Sequence, residues 1–202
     1  MRPCAGAASK PLMSAIIVLA ILVVVAVVIL NSYNRLAQLR LRCDTAWSDI
    51  AVQLKRRHEL IPELIEIVRK RAPEADESLV ALGELRARAM QATKPADCAA
   101  VESELAAALV GILADAERNP QLNGSEELKP LRTSLDLVES VLASAQRYYN
   151  SLATNWNATL RSFPSSMLAG VFGFAPRQLF EASAMPRPAD RASELGLVSR
   201  TP

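Results

Sequence analysis

One uninterrupted apolar run near the N-terminus constrains this chain more than any other feature. From Leu12 to Leu30, 18 of the 19 residues are apolar, with Ser14 as the exception. As a helix this run is roughly 28 Å long, which matches the hydrocarbon thickness of a bilayer. It is longer than the apolar part of a signal peptide, and no A-x-A cleavage site follows it. We therefore predict a short tail over residues 1–11 and a retained transmembrane helix over residues 12–31.

The charged residues all lie outside this run. The 202 residues include 23 Lys or Arg and 21 Asp or Glu, a net charge of +2, and none of these lies between Lys10 and Arg35. So small a net charge gives no electrostatic footprint for nucleic acid. Basic residues flank the run on both sides, which is close to a tie by the positive-inside rule. We expect the N-terminus in the cytoplasm and the following domain on the extracytoplasmic side.

Helical periodicity continues from the apolar run to about residue 163. A first helix ends near Arg71, with Pro62 expected to kink it, and two shorter helices follow over Asp76–Thr93 and from Pro95 to about Arg118. The fourth helix carries about five heptads of the kind found in coiled coils. Ser125 is its candidate cap, and Pro130 favours a start a little further on.

The connections between these four helices are short, and no strand pattern is present. Short connections predict antiparallel packing of neighbouring helices. We therefore predict an all-α fold, with the N-terminal transmembrane helix followed by a long antiparallel four-helix bundle over residues 33–181.

Several polar and aromatic residues occupy the apolar stripes of the first and fourth helices. His58 lies eleven residues after Trp47 on a row that faces the bundle, which favours a buried, hydrogen-bonded histidine. Asn150 and Asn157 are seven residues apart and are expected to form buried hydrogen bonds that fix the register. We predict a structural polar network of Asp49, Arg57, His58, Asn150 and Asn157, and seam aromatics at Trp47, Tyr149 and Trp156.

The segment after the fourth helix is apolar again. If the helices alternate in direction, this segment returns towards the bilayer. It either folds back to cover the end of the bundle or touches lipid or a membrane partner, and the two interpretations are compatible. The candidate contact residues are Met167, Leu168, Val171, Phe172 and Phe174. Residues 182–202 lack periodicity and are predicted to be a disordered tail.

The chain carries no constellation of residues typical of catalysis. It contains no G-x-S-x-G, no phosphate-binding glycine loop and no H-E-x-x-H. Its single His excludes a His-rich metal site, and its three Cys show no C-x-x-C spacing. We therefore predict a protein that is not an enzyme, with no catalytic, cofactor-binding or metal-binding residues.

Two blocks of sequence resemble the bacterial LemA family, and the resemblance covers roughly residues 12–181. The first block comprises Tyr33–Leu36, Ala46–Ile50 and Val52–Leu64, and the second comprises Tyr149-Asn, Trp156-Asn, Phe163-Pro and Ala169–Phe174. The resemblance implies a helical bundle anchored in the bacterial inner membrane, without established catalytic activity and linked to envelope organisation.

The function expected from these features is a non-enzymatic scaffold or interaction module of the cell envelope. Its expected partners are the lipid bilayer and a membrane or envelope protein, and a homo-oligomer fits the pattern as well. A regulatory adaptor or sensor for a membrane protein is the alternative, and an enzyme is a remote one.

Overall fold

A computed structural model describes residues 9–93 and 95–182 of the chain. These residues form α-helices joined by short connections and contain no strand, so the predicted all-α fold is confirmed. A 3-10 helix, Pro73–Ala75, joins the first two α-helices. The predicted tail beyond residue 182 lies outside the described residues. The α-helices are α1 (Ser9–Arg71), α2 (Asp76–Gln91), α3 (Pro95–Arg118), α4 (Leu128–Arg161) and α5 (Ser165–Phe172).

Helix α1 contains 63 residues and includes the whole apolar run. It is long and apolar enough to cross a membrane, and none of its most apolar window is buried in the protein. Its last turn carries Arg69, Lys70 and Arg71, cations that suit the negative end of the helix dipole. Pro73 follows and prevents the helix from continuing.

The described residues divide into two compact units. The first unit combines the described residues up to Arg42 with Thr154–Arg177, and the second combines Cys43–Ala153 with the described residues from Gln178 onward. The first unit thus holds the beginning of α1, the end of α4 and α5. The second holds the rest of α1 and α4, together with α2 and α3.

The second unit is a four-helix bundle whose neighbouring helices run antiparallel, as predicted. Arg71, at the end of α1, forms a hydrogen bond with Glu127, next to the start of α4. The ring of Trp47, earlier in α1, packs against Tyr149, which lies 22 residues after Glu127. The residue numbers fall along α1 as they rise along α4, so these two helices are antiparallel. Arg69 likewise meets Asp76 at the turn into α2, and Arg86 further along α2 reaches back to His58.

Two apolar clusters form the core of this bundle. One is built from all four helices and includes Ile61, Leu82, Leu105 and Leu135, all of which are completely buried or nearly so. The other surrounds Ile50, Leu54, Tyr149 and Phe180. Along α1, Arg57 and His58 stand after Leu54 of one cluster and before Ile61 of the other, so they interrupt the apolar sequence of the core face.

Helix α4 begins at Leu128, a little beyond the start that a cap at Ser125 would give, as Pro130 indicated. Pro130 lies in the first turn, where its missing N–H has no intrahelical acceptor anyway. Ser125 does not cap it, since its buried hydroxyl has no protein partner among the described residues. Helix α5 was not predicted. It ends at Gly173, whose φ of 66° lies in the left-handed region that favours glycine, and Phe174 N–H donates to the Ala169 carbonyl.

Candidate functional site

The most unusual feature of the second unit is a buried cluster of charged side chains. The guanidinium of Arg57, on α1, lies 3.2 Å from Oε2 of Glu102 on α3 and 2.8 Å from Oε1 of Glu139 on α4. All three side chains are at least 96% buried. Removing such charges from water is costly unless each one meets an opposite charge at close range. Through these two ion pairs, Arg57 therefore links α1 to both α3 and α4.

His58 completes this cluster from the neighbouring position on α1. Its Nε2 lies 2.7 Å from Oε1 of Glu102. Arg57 thus meets two carboxylates, and one of them, Glu102, also contacts His58. His58 thus belongs to the polar interior of the bundle.

Pro62 has a partner on the neighbouring helix. Because proline lacks an N–H, Pro62 leaves the carbonyl of His58, four residues earlier, without its helical donor. The Nε of Arg86 on α2 donates to this carbonyl at 2.7 Å. Helix α1 continues through Pro62 without interruption. The arginine therefore replaces the hydrogen bond that the proline removes.

A cleft of about 400 Å³ in the second unit borders the charged cluster. His58, Glu102 and Cys98 line it together with Trp47, Lys55 and Met90. Burial first, and the charge of Glu102 second, raise the pKa of the Cys98 thiol to about 11, against an opposing effect of Arg57. A thiol in that state is protonated near neutral pH and is a poor nucleophile. Cys98 therefore acts here as a small buried side chain.

In the second unit, Asn150 binds the backbone of the segment that follows α5. We call residues 174–182, which have no regular secondary structure, the strap. The side-chain amide of Asn150 donates to the carbonyl of Phe180 at 2.9 Å and accepts from its N–H at 2.8 Å. Gln146 also donates to the Phe180 carbonyl, and Tyr149 donates through its hydroxyl to the carbonyl of Gln178. The Phe180 ring packs edge-on against Trp47.

The first unit repeats this arrangement with Asn157. Its amide donates to the carbonyl of Arg177 and accepts from the N–H of the same residue, both at 2.8 Å. Next to it, Trp156 donates through Nε1 to the carbonyl of Ala175 and packs against the ring of Phe174. Both asparagines therefore fix the strap by its backbone.

The predicted polar network thus separates into different groups. Arg57 and His58 share the buried charged cluster, whereas Asn150 and Asn157 hold the strap. Asp49 is exposed, because it lies on the side of α1 away from the core, and it does not join the cluster.

Glu102, Glu139, Arg86 and Gln146 were missed by sequence reasoning. A signal existed for Glu102, which interrupts the apolar row of α3 between Cys98 and Leu105. A carboxylate at a core-facing helical position needs a buried cation, and Arg57 was the candidate. No comparable sequence signal indicates the contacts of Arg86 and Gln146, because both side chains bind backbone carbonyls.

Apolar side chains remain exposed in both units. In the first unit, the exposed fractions of Met167, Val171 and Phe172 are 66%, 79% and 53%, whereas Leu168 is buried. Phe174 is half-buried. In the second unit, α4 exposes a stripe of three apolar side chains, Leu137, Val141 and Tyr148. Within the described ranges, no group of three His, Cys, Asp or Glu side chains is placed to hold a metal ion.

A family model described as LemA family matches residues 46–191. No curated protein matches the chain.

Proposed function

This chain belongs to the LemA family, and we propose that it is a non-enzymatic, membrane-anchored interaction module of the bacterial cell envelope. In this role α1 holds the protein in the inner membrane, and the second unit binds a membrane or envelope protein. The observation that carries the proposal is the exposed apolar stripe of Leu137, Val141 and Tyr148 on α4.

The stripe has the geometry of a helix-docking seam. Its members are four and seven residues apart, so they lie within about 40° of one another around the helix and extend along roughly 16 Å of it. Their exposed fractions are 65%, 41% and 56%. Single exposed apolar residues are common, but three in line on one helix are typical of a surface that another amphipathic helix covers. The partner we propose is therefore an amphipathic helix of an envelope protein.

The apolar run of α1 supports membrane attachment. Its described side chains from Ala15 to Leu30 are exposed in the protein, and a bilayer would remove this apolar surface from water. We place the bundle on the extracytoplasmic side, with the N-terminus in the cytoplasm.

The test of the interaction is site-specific photo-crosslinking in cells with the full chain. A photoreactive residue at Val141 should give a specific adduct, and the same residue at exposed Ser140, about 100° around the helix, should not. Leu137→Lys should abolish the Val141 adduct at an equal protein level. Equal adducts at both positions, or an adduct that survives Leu137→Lys, would contradict the proposal. An adduct of twice the chain mass would identify the partner as a second copy.

Orientation is tested separately by thiol labelling. Native Cys98 is buried, so the reporter is Arg147→Cys, an exposed position on α4, in a chain whose three native cysteines are replaced. A membrane-impermeant maleimide should label it in intact cells. Labelling that requires permeabilised cells would place the bundle in the cytoplasm instead.

A regulatory adaptor or sensor is the second candidate function. The buried His58–Glu102 pair favours it, because it joins α1, the helix that also carries the apolar span, to α3 in the bundle interior. A His58→Gln strain that behaves like the wild type at an equal protein level would exclude this role.

A further inference from the structure

A second uncharged run lies in the first unit. Between Arg161 and Arg177, 15 successive residues carry no charge. Only the run that contains the apolar span, residues 11–34, is longer. Helix α5 occupies the middle of this second run. A surface segment without charges over such a length is unusual for a protein face in water.

The two sides of α5 have different environments but are both largely apolar. Leu168 faces the protein and is buried, together with Ser165. Met167 and Val171, four residues apart and turned away from the protein, are 66% and 79% exposed, and Phe163 just before the helix is 80% exposed. Helix α5 therefore presents two large apolar groups one turn apart, with a third directly before it, which is the pattern of a helix lying on a lipid surface.

Aromatic contacts fix the position of α5 relative to the apolar span within the same unit. The ring centroid of Phe172 lies 5.0 Å from that of Tyr33, and the Phe174 centroid lies 6.4 Å from it. Tyr33 comes three residues after Leu30, which is about 4.5 Å along the helix axis. Tyrosine and tryptophan concentrate at this depth, where acyl chains meet headgroups. The end of α5 thus lies at the level where α1 would leave the membrane.

We propose that α5 is an interfacial helix that inserts Phe163, Met167 and Val171 into the outer part of the bilayer next to α1. The proposal rests on the membrane anchoring proposed above. Exposed Arg161, just before the uncharged run, is placed to meet lipid phosphates. The occupant of this surface is lipid rather than a protein, because the span of α1 brings the bilayer to the level of Tyr33.

The test measures the surroundings of spin labels on the full chain, reconstituted at one copy per nanodisc. Single cysteines are introduced at Val171 and Met167 in a chain without native cysteines, and collision rates with oxygen and with a water-soluble nickel chelate are compared. Val25→Cys in the span is the lipid reference, and Ser140→Cys in the bundle is the water reference. Circular dichroism of each labelled variant must match the unlabelled chain.

The ratio of the collision rate with oxygen to the collision rate with nickel should be severalfold higher for labels at Val171 and Met167 than for the label at Ser140. The depth given by this ratio should be shallower than that of the label at Val25. A Val171 ratio equal to that of Ser140 would overturn the proposal, since the face would then be in water. Low collision rates with both reagents would overturn it as well, because protein would then cover the face. A water-like Val25 would instead refute the anchoring itself.

Discussion

Replacing Arg57 by methionine should destabilise the bundle more than any single exposed substitution. The change removes the cation that contacts both Glu102 and Glu139 while it keeps most of the side-chain volume. It leaves buried carboxylates without this compensation, a situation that costs about 3–5 kcal/mol. With a urea dependence of about 2 kcal/mol per molar, the midpoint of unfolding should fall by about 2 M.

The assay is urea unfolding of the full chain in nanodiscs, followed by tryptophan fluorescence and circular dichroism. Trp47 reports on the second unit, because its ring packs against Tyr149 and Phe180. The slope of the transition must stay unchanged for the midpoint to be read as stability. Arg88→Met is the matched control, since it breaks the exposed Arg88–Glu104 pair and should cost less than about 1 kcal/mol.

A compensated variant separates the effect of charge from that of packing. Arg57→Met combined with Glu102→Gln and Glu139→Met removes the charges of these three side chains, and the side-chain amide introduced at position 102 can still hydrogen-bond to His58. Neutralised cores of this kind are often as stable as the charged original, so most of the lost stability should return. If Arg57→Met costs no more than Arg88→Met, or if the triple variant is the least stable of all, the account of the cluster is wrong.

Three further predictions concern separate contacts. Arg86→Met should cost about 1–3 kcal/mol by urea unfolding but clearly less in a Pro62→Ala background, and an equal cost in both would contradict the proposed replacement of the missing hydrogen bond. Asn150→Ala should speed hydrogen exchange at the Phe180 N–H, measured by mass spectrometry, and Asn150→Asp should have an intermediate effect because a carboxylate accepts but cannot donate; unchanged exchange would count against the role of Asn150 in holding the strap. In a variant whose other two cysteines, Cys4 and Cys43, are replaced, Cys98 should react slowly with iodoacetamide at pH 8 and faster as the pH approaches 11, since its raised pKa keeps it protonated. A rate at pH 8 equal to that in urea would show that the thiol is not buried.

The helices of the bundle were predictable because their ends are marked locally. Helix α3 begins at Pro95 and ends at Arg118, as the sequence predicted, since a proline opens it and Asn119-Pro120 closes it. Helix α2 stops two residues before the predicted end. Helix α5 has only eight residues, too few for a periodic signal to distinguish it from a loop.

The contacts of the site could be predicted only in part. The sequence placed His58 and Arg57 on or near the core face, but their partners are 44 and 82 residues away, and no local pattern pairs them. Asn150 and Asn157 were expected to bond within the bundle, whereas they bind the strap. Their partners are backbone groups of the strap, a segment without regular secondary structure. Backbone groups do not affect the periodicity of side chains along the sequence, so these contacts could not be predicted from it.

Asn150 and Asn157 place an unusual kind of constraint on how this chain can evolve. Each side chain hydrogen-bonds only to a backbone N–H and a backbone carbonyl, so the side chains at Arg177 and Phe180 do not take part in these bonds. Proline is forbidden at both positions, because it would remove the N–H that each asparagine accepts. It is permitted at position 176, where the chain has Pro176, since no asparagine accepts from that residue. The two asparagines therefore constrain the backbone of the strap, whereas packing against Trp47 constrains the Phe180 side chain independently.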